Sequence, residues 1–177
     1  MAIEIRPLRE ADDRSGFRSG DPDLDRFFAR FAGQNQFRHH IGTTYVAEEA
    51  GRILGFATVA PGNIESEALP LVTRRALPRY PLPVLRLARL AVAASEQGRG
   101  VGSALLRHVF MLALKMAEEL GCVGIHVDAK SDAIEFYARI GFSRLDVTEG
   151  EIESRPKPTA MFLPLDLIAA AVAASRR

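Results

Sequence analysis

The chain has a single cysteine, Cys122, among its 177 residues. One thiol excludes an internal disulfide and suits a reducing cytoplasm. Charge of one sign is also missing. The 23 Lys and Arg nearly cancel the 22 Asp and Glu, leaving a net charge of +1. No whole-molecule field therefore announces nucleic acid or a membrane surface, and any basic patch has to be local. No stretch approaches the ~20 apolar residues of a membrane span. The opening MAIEIRPLREADD lacks the apolar core of a secretory leader. The expectation is a cytoplasmic protein that does not enter membranes. Internal repeats and low-complexity linkers are absent as well. The length suits one domain with a real core, about 3–165, followed by an alanine-rich tail, 166–177.

Hydrophobic periodicity supplies the elements. IEIRP alternates as a first strand. In DPDLDRFFARFAGQ, Leu24, Phe27, Phe28 and Phe31 fall at helical spacing, with Asp21 or Asp23 as cap. TTYVAEEAGRILGFATVAP reads as a hairpin, Thr43–Glu48 and Arg52–Ala60, turning near Ala50-Gly51. Gly55 inside the second strand marks a bulge or a close backbone approach. Prolines 70, 78, 81 and 83 make residues 61–84 a loop with a short helix at Leu71–Ala76. LRLARLAV (85–92) is a strand. A long helix follows from about Gly100 to Glu119, its apolar stripe running from Val101 through Leu105, Val109 and Leu112 to Met116. VGIHVDA, SRLDV and PTAMFLPL are further strands. SDAIEFYARIGF is a short helix started at Ser131 or Asp132 and stopped at Gly141, and the tail from Asp166 forms a last helix. Strand, helix, strand, helix from 85 to 142 implies a parallel pair, while the hairpins imply an antiparallel remainder. The fold class is α/β (α+β) with a mixed sheet.

SEQGRGVGSALLRHVF (95–110) turns from three closely spaced glycines into an amphipathic helix. A helix N-terminus carries unpaired N–H groups and partial positive charge, and glycines let an anion approach closely. Gly98-x-Gly100-x-Gly102 therefore suits a phosphate or pyrophosphate, with Arg99 as a mobile cation. A P-loop needs Gly-Lys-Ser/Thr at its end, but here Ser103 and Ala104 follow Gly102. A Rossmann turn needs a third glycine where Ser103 stands, and an acidic residue ending the next strand, whereas Glu118 and Glu119 lie on the helix. A glycine turn with a purely structural role stays open.

Gln97-x-x-Gly100-x-Gly102, after a strand and opening a long helix, resembles the acyl-CoA-binding signature of the GCN5-related N-acetyltransferase (GNAT) family. AIEFYARIGF (133–142) resembles that family's terminal A-x-x-F/L-Y-x-x-x-G-F helix, although Lys130 stands where the family often carries asparagine. The resemblance implies a mostly antiparallel sheet splayed between its fourth and fifth strands, with helices on both faces. It implies acetyl-CoA as co-substrate and no metal. Leu90, Ala91 and Val92 would pair with the pantetheine arm. Gln97, Gly98, Arg99, Gly100, Val101, Gly102 and Ser103 would form the pyrophosphate turn. A fourth-strand N–H near Leu90 would stabilise the thioester oxygen. Tyr137 would be the general acid, because a phenol stays protonated at neutral pH and can donate to a leaving thiolate. His126 and Asp128, on one face of the fifth strand, are alternative bases.

The N-terminal half and the arginine-rich proline loop look like the acetyltransferase toxins of bacterial toxin–antitoxin pairs. That resemblance implies acetylation of the α-amine of aminoacyl-tRNA, a small ribbon-helix-helix antitoxin as partner, and room for a homodimer. Arg74, Arg75, Arg79, Arg86 and Arg89 would track tRNA phosphates, extended by Arg38, His39 and His40. Alternatively these arginines pair with local carboxylates such as Glu65 and Glu67. Two other activities compete: N-acetylation of a small-molecule or peptide amine, and non-catalytic acyl-CoA binding.

Overall fold

The computed structural model describes residues 2–145 and 157–177. Its strands are β1 (Glu4–Pro7), β2 (Thr43–Glu49), β3 (Arg52–Ile64), β4 (Leu82–Val92), β5 (Gly124–Ala129), β6 (Ser143–Arg144) and β7 (Thr159–Pro164). The α-helices are α1 (Pro22–Arg30), α2 (Leu71–Arg75), α3 (Val101–Glu119), α4 (Ile134–Ile140) and α5 (Leu165–Ala174). The sheet runs in the order β1-β2-β3-β4-β5-β7-β6, with β4 and β5 parallel. The pairs β1/β2, β2/β3, β5/β7 and β6/β7 are antiparallel. The chain divides into two compact units, Met1–Ala60 with Leu87–Val109, and Pro61–Arg86 with Phe110–Arg177.

In the first unit, Asp21 caps α1, accepting the N–H groups of Asp23 and Leu24 at 3.0 and 3.3 Å. Pro22 sits at the first helical position, where its missing N–H costs nothing. Phe28 then stacks on Phe56 of β3 with ring centroids 4.3 Å apart, and Phe17 packs edge-on against both rings. Burying this aromatic trio ties α1 to the sheet. Beside Phe56 on β3, a Cβ at Gly55 would lie 2.8 Å from the Ala91 carbonyl oxygen and 3.1 Å from the Val101 and Leu105 side chains. Only glycine fits. Consecutive strand residues point to opposite faces, so α1 and α3 cover opposite faces here. The pairing slips at the same place. Ala47 faces Gly55 but Glu48 faces Ile53, leaving Leu54 as the extra residue of a bulge. The expected close approach and the expected bulge at Gly55 are both present.

In the second unit, Phe162 of β7 is fully buried with Ile64, Leu69, Leu82 and Val84. At Gly124 a Cβ would strike the Leu163 carbonyl and the Phe162 ring, so β5 can approach β7 only as glycine there. Helix α4 ends at Gly141, φ +118, whose N–H bonds the Ala138 carbonyl. Helix α5 buries Ile168 and Val172 and packs on β5 and β7.

Several boundaries differ from the sequence expectation. β3 continues through Pro61 and Gly62 to Ile64, and β4 begins at Leu82 rather than Leu85. Pro83 lacks a donor but keeps its acceptor, which takes the Val123 N–H at 2.9 Å, so the strand tolerates it. The loop between them shrinks accordingly. Neither Ser131 nor Asp132 caps α4. The cap position is Ala133, whose N–H closes a turn onto the Lys130 carbonyl. A π-helical segment, Gln34–His39, extends the α1 region unannounced. It puts the Gln36 side chain between the Leu8 carbonyl and the Thr44 N–H, a bridge no periodicity reveals. Of the expected strand SRLDV, Asp146 and Val147 lie outside the described residues.

Candidate functional site

β4 ends at Val92, a single 3-10 turn covers Ala94–Glu96, and α3 opens at Val101. Gly98 and Gly100 take φ +84 and +83, the left-handed region that favours glycine. Gly102 is already within α3 and does not take a positive φ. Ala104 donates to the Gly100 carbonyl at 3.0 Å, but the N–H groups of residues 98–103 meet no acceptor among the described residues. Nothing lies within 4 Å of a Cβ built at Gly98 or Gly100. Free donors around open space at a helix mouth fit a pyrophosphate.

Arg99 is not the mobile cation expected. Its guanidinium bonds Glu96 and, at 3.1 Å, Glu49 at the end of β2. Glu96 in turn accepts from Arg52 at 2.6 Å. The carboxyl of Glu96 is held below its ordinary value first by Arg99 and then by Arg52. Two arginines and two glutamates thus brace the turn from the β2–β3 hairpin. Sequence reasoning missed Glu49, Arg52 and Glu96 in this role, because nothing linear pairs a hairpin end with a turn 44 positions on. The Gln97 side chain is likewise spent on the Ser19 and Val92 carbonyls.

At the end of β4, Ala93 donates to Leu54 of β3 at 2.8 Å. Strand alternation then turns the Ala91 backbone toward β3 as well, leaving Leu90 and Val92 facing away from it. The three residues expected to pair with a pantetheine arm thus divide, Ala91 toward β3 and Leu90 and Val92 away from it.

Tyr137 lies in the second unit, on α4. It is 5% exposed, wedged edge-on between Phe136 and Phe142 at 5.2 and 5.3 Å. Burial raises its phenol pKa above the ordinary value, and its hydroxyl has no hydrogen bond among the described residues. On β5, His126 Nε2 lies 3.3 Å from Asp128, which also meets Arg86 at 3.1 Å. His126, followed by Arg86, holds Asp128 below the ordinary carboxylate range. Cys122 is buried, its thiol pushed up by burial, which suits packing rather than nucleophilic work.

The five arginines do not act as one group. Arg86 is paired with Asp128, and Arg89 lies 3.8 Å over the Phe27 ring in the first unit. Arg74, Arg75 and Arg79 line a cavity of about 560 Å³ together with Ser66 and Glu67. None of the three has a carboxylate partner among the described residues, Glu65 and Glu67 included. Those residues likewise hold no cluster of three or more His, Cys, Asp or Glu fit for a metal.

A parallel strand pair in a mixed sheet, with a glycine turn of free N–H groups opening the helix between them, defines an acyltransferase-type α/β domain. The acetyltransferase (GNAT) domain pattern matches residues 40–144. A tRNA-acetylating toxin of Mycobacterium tuberculosis is 37% identical over 138 residues, covering 77% of this chain and 82% of that protein. The structure of AtaT complexed with acetyl-methionyl-tRNAfMet superposes with a TM-score of 0.81 at 26% identity, covering 96% of this chain and 99% of that one. AtaTR bound with acetyl-CoA gives 0.75 at 26%, covering 96% and 93%. A mutant of KacT gives 0.82 at 25%, covering 97% and 99%. The chain belongs to the GNAT acetyltransferase family, enzymes that take their acyl group from acetyl-CoA.

Proposed function

We propose that this enzyme acetylates the α-amine of aminoacyl-tRNA and so blocks translation. The observation that carries this is the cavity before β4 lined by three arginines with no carboxylate partner among the described residues, in a chain 37% identical to a tRNA-acetylating toxin. Against a net charge of only +1, this local concentration of cation suits an anionic partner.

Acetyl-CoA supplies an activated thioester. The free N–H groups of residues 98–103 hold its pyrophosphate, and the backbone of Leu90 and Val92, which turns away from β3, pairs with its pantetheine arm. Tyr137 keeps its proton at neutral pH and gives it to the departing thiolate. The attacking amine must be neutral. Free α-amines titrate near 7.7–8.0 and an esterified aminoacyl group lower still, so much of it is neutral without a strong base. The pair His126–Asp128 receives the proton that the amine sheds. A toxin of this kind needs restraint, and a ribbon-helix-helix antitoxin, a homodimeric enzyme and a cytoplasmic location complete the proposal.

The experiment is transfer of labelled acetyl groups to a pool of charged tRNAs, beside free amino acids, polyamines and lysine peptides. Charged tRNA is the expected acceptor. Efficient acetylation of a small amine with charged tRNA untouched overturns the substrate, leaving a small-molecule N-acetyltransferase. Acetyl-CoA binding with no acceptor at all points instead to a non-catalytic module.

A further inference from the structure

The cavity beside α2 is built for one end group rather than for a length of backbone. Arg74 and Arg75 close α2, and Arg79 follows in the loop. All three line one cavity of about 560 Å³ instead of spreading along a ridge. Ser66 also lines it, 1% exposed, with a hydroxyl that finds no hydrogen-bond partner among the described residues. Glu67 borders the same space and pairs with none of the arginines, so among the described residues three cations face one carboxylate. Leu71 and Leu77 supply an apolar wall.

A phosphodiester offers two free oxygens and one charge, and a run of diesters is met by a strip of cations. A phosphate monoester offers three oxygens and close to two charges at neutral pH, and converging guanidinia bind it in bidentate fashion. A concave cluster of three arginines and a hydroxyl, all without partners among the described residues, matches the second chemistry. The volume exceeds a phosphate, leaving room for the terminal nucleoside against Leu71 and Leu77.

We propose that this cavity seats a phosphate monoester, and that its source is the 5′ end of the RNA substrate. A tRNA carries one such group, at the end of the acceptor stem that also bears the amino acid. The cofactor carries the same chemistry in its 3′-phosphate, so the test separates the two. The inference rests on the proposed substrate only for its choice of RNA.

The experiment compares charged tRNA bearing a 5′-phosphate with the same tRNA after phosphatase treatment and recharging. A second arm compares acetyl-CoA with 3′-dephospho-acetyl-CoA. Binding of a 5′-phosphorylated or 5′-hydroxyl acceptor-stem hairpin is read by fluorescence anisotropy, independently of turnover. The wild-type enzyme should prefer the 5′-phosphorylated RNA by roughly tenfold or more, the scale of one charge-assisted contact set. R74Q/R75Q/R79Q should bind both RNAs alike, with normal acetyl-CoA binding. Discrimination in the cofactor arm alone, lost in that variant, overturns the RNA assignment in favour of the cofactor. Discrimination in neither arm, or RNA discrimination retained by the variant, overturns the site. Preference for the 5′-phosphate in binding, without acetylation of charged tRNA, sinks the proposed activity and leaves this cavity standing.

Discussion

Burial raises the Tyr137 phenol above its ordinary value near 10, so the neutral form that can donate a proton persists across the physiological range. The raised pKa favours the protonated phenol in the folded state, so this stability is intact below the ordinary value and is lost only as pH climbs beyond it. Tyr137→Phe keeps the ring between Phe136 and Phe142 and removes only the proton. We expect kcat to fall about 10²–10⁴-fold with acetyl-CoA affinity nearly unchanged, measured by steady-state kinetics and calorimetry. In the wild type, kcat should show no alkaline limb from Tyr137 below about pH 10. Wild-type turnover by the phenylalanine enzyme would return Tyr137 to packing. A second residue carries a stability argument. Ala50 and Gly51 both take positive φ, 52 and 78, as a two-residue hairpin turn requires. Alanine is strained there by about 1–2 kcal/mol. Ala50→Gly should raise stability by up to ~1 kcal/mol after the entropy that glycine loses on folding. A denaturation midpoint that stays put or falls would mean the turn carries no such strain.

Among the elements, the β2–β3 hairpin does more than close a sheet. Its end presents Glu49 and Arg52 to the glycine turn, where Arg99 and Glu96 complete the brace. Glu96 has a depressed pKa, so its contribution is present above the ordinary carboxylate value and fades as pH falls through the lower, folded one. At neutral pH the brace is fully formed. Glu96→Gln removes the charge at nearly constant shape. The expected result is a rise of about tenfold in KM for acetyl-CoA with kcat at saturation held, since a charged hydrogen-bond pair is worth that order. Glu96→Asp should recover part of it. Equal losses in kcat and in kcat/KM would place Glu96 in the chemistry instead. The same geometry explains which glycine bears substitution. A side chain at Gly98 or Gly100 strains the backbone, whereas Gly102 does not take a positive φ.

For the molecule as a whole, near-neutral charge makes RNA binding a local affair, and its salt dependence measures how many phosphates are neutralised. Each phosphate that the protein neutralises adds roughly 0.7–0.9 to the steepness of log affinity against log salt. Charged-tRNA affinity should therefore fall steeply from low to physiological salt. Replacing Arg74, Arg75 and Arg79 by Glu should flatten that slope by about one, the share of a single terminal phosphate, while acetyl-CoA binding holds. An unchanged slope would remove the loop from the RNA interface. Much of the protein was legible along the chain. Periodicity and glycine punctuation are local properties, and they were enough for the hairpin, for α3, for the turn at Gly98–Ser103 and for the helix carrying Tyr137. Which charges are free was settled by folding alone. Arg99, Arg86 and Arg89 look as available in the sequence as Arg74, Arg75 and Arg79. Folding gives the first to Glu96 and Glu49, the second to Asp128 and the third to the Phe27 ring, across separations of up to 62 positions, from Phe27 to Arg89. A side chain's partner is set by what the fold places within a few ångströms of it, and no spacing along the chain encodes that distance.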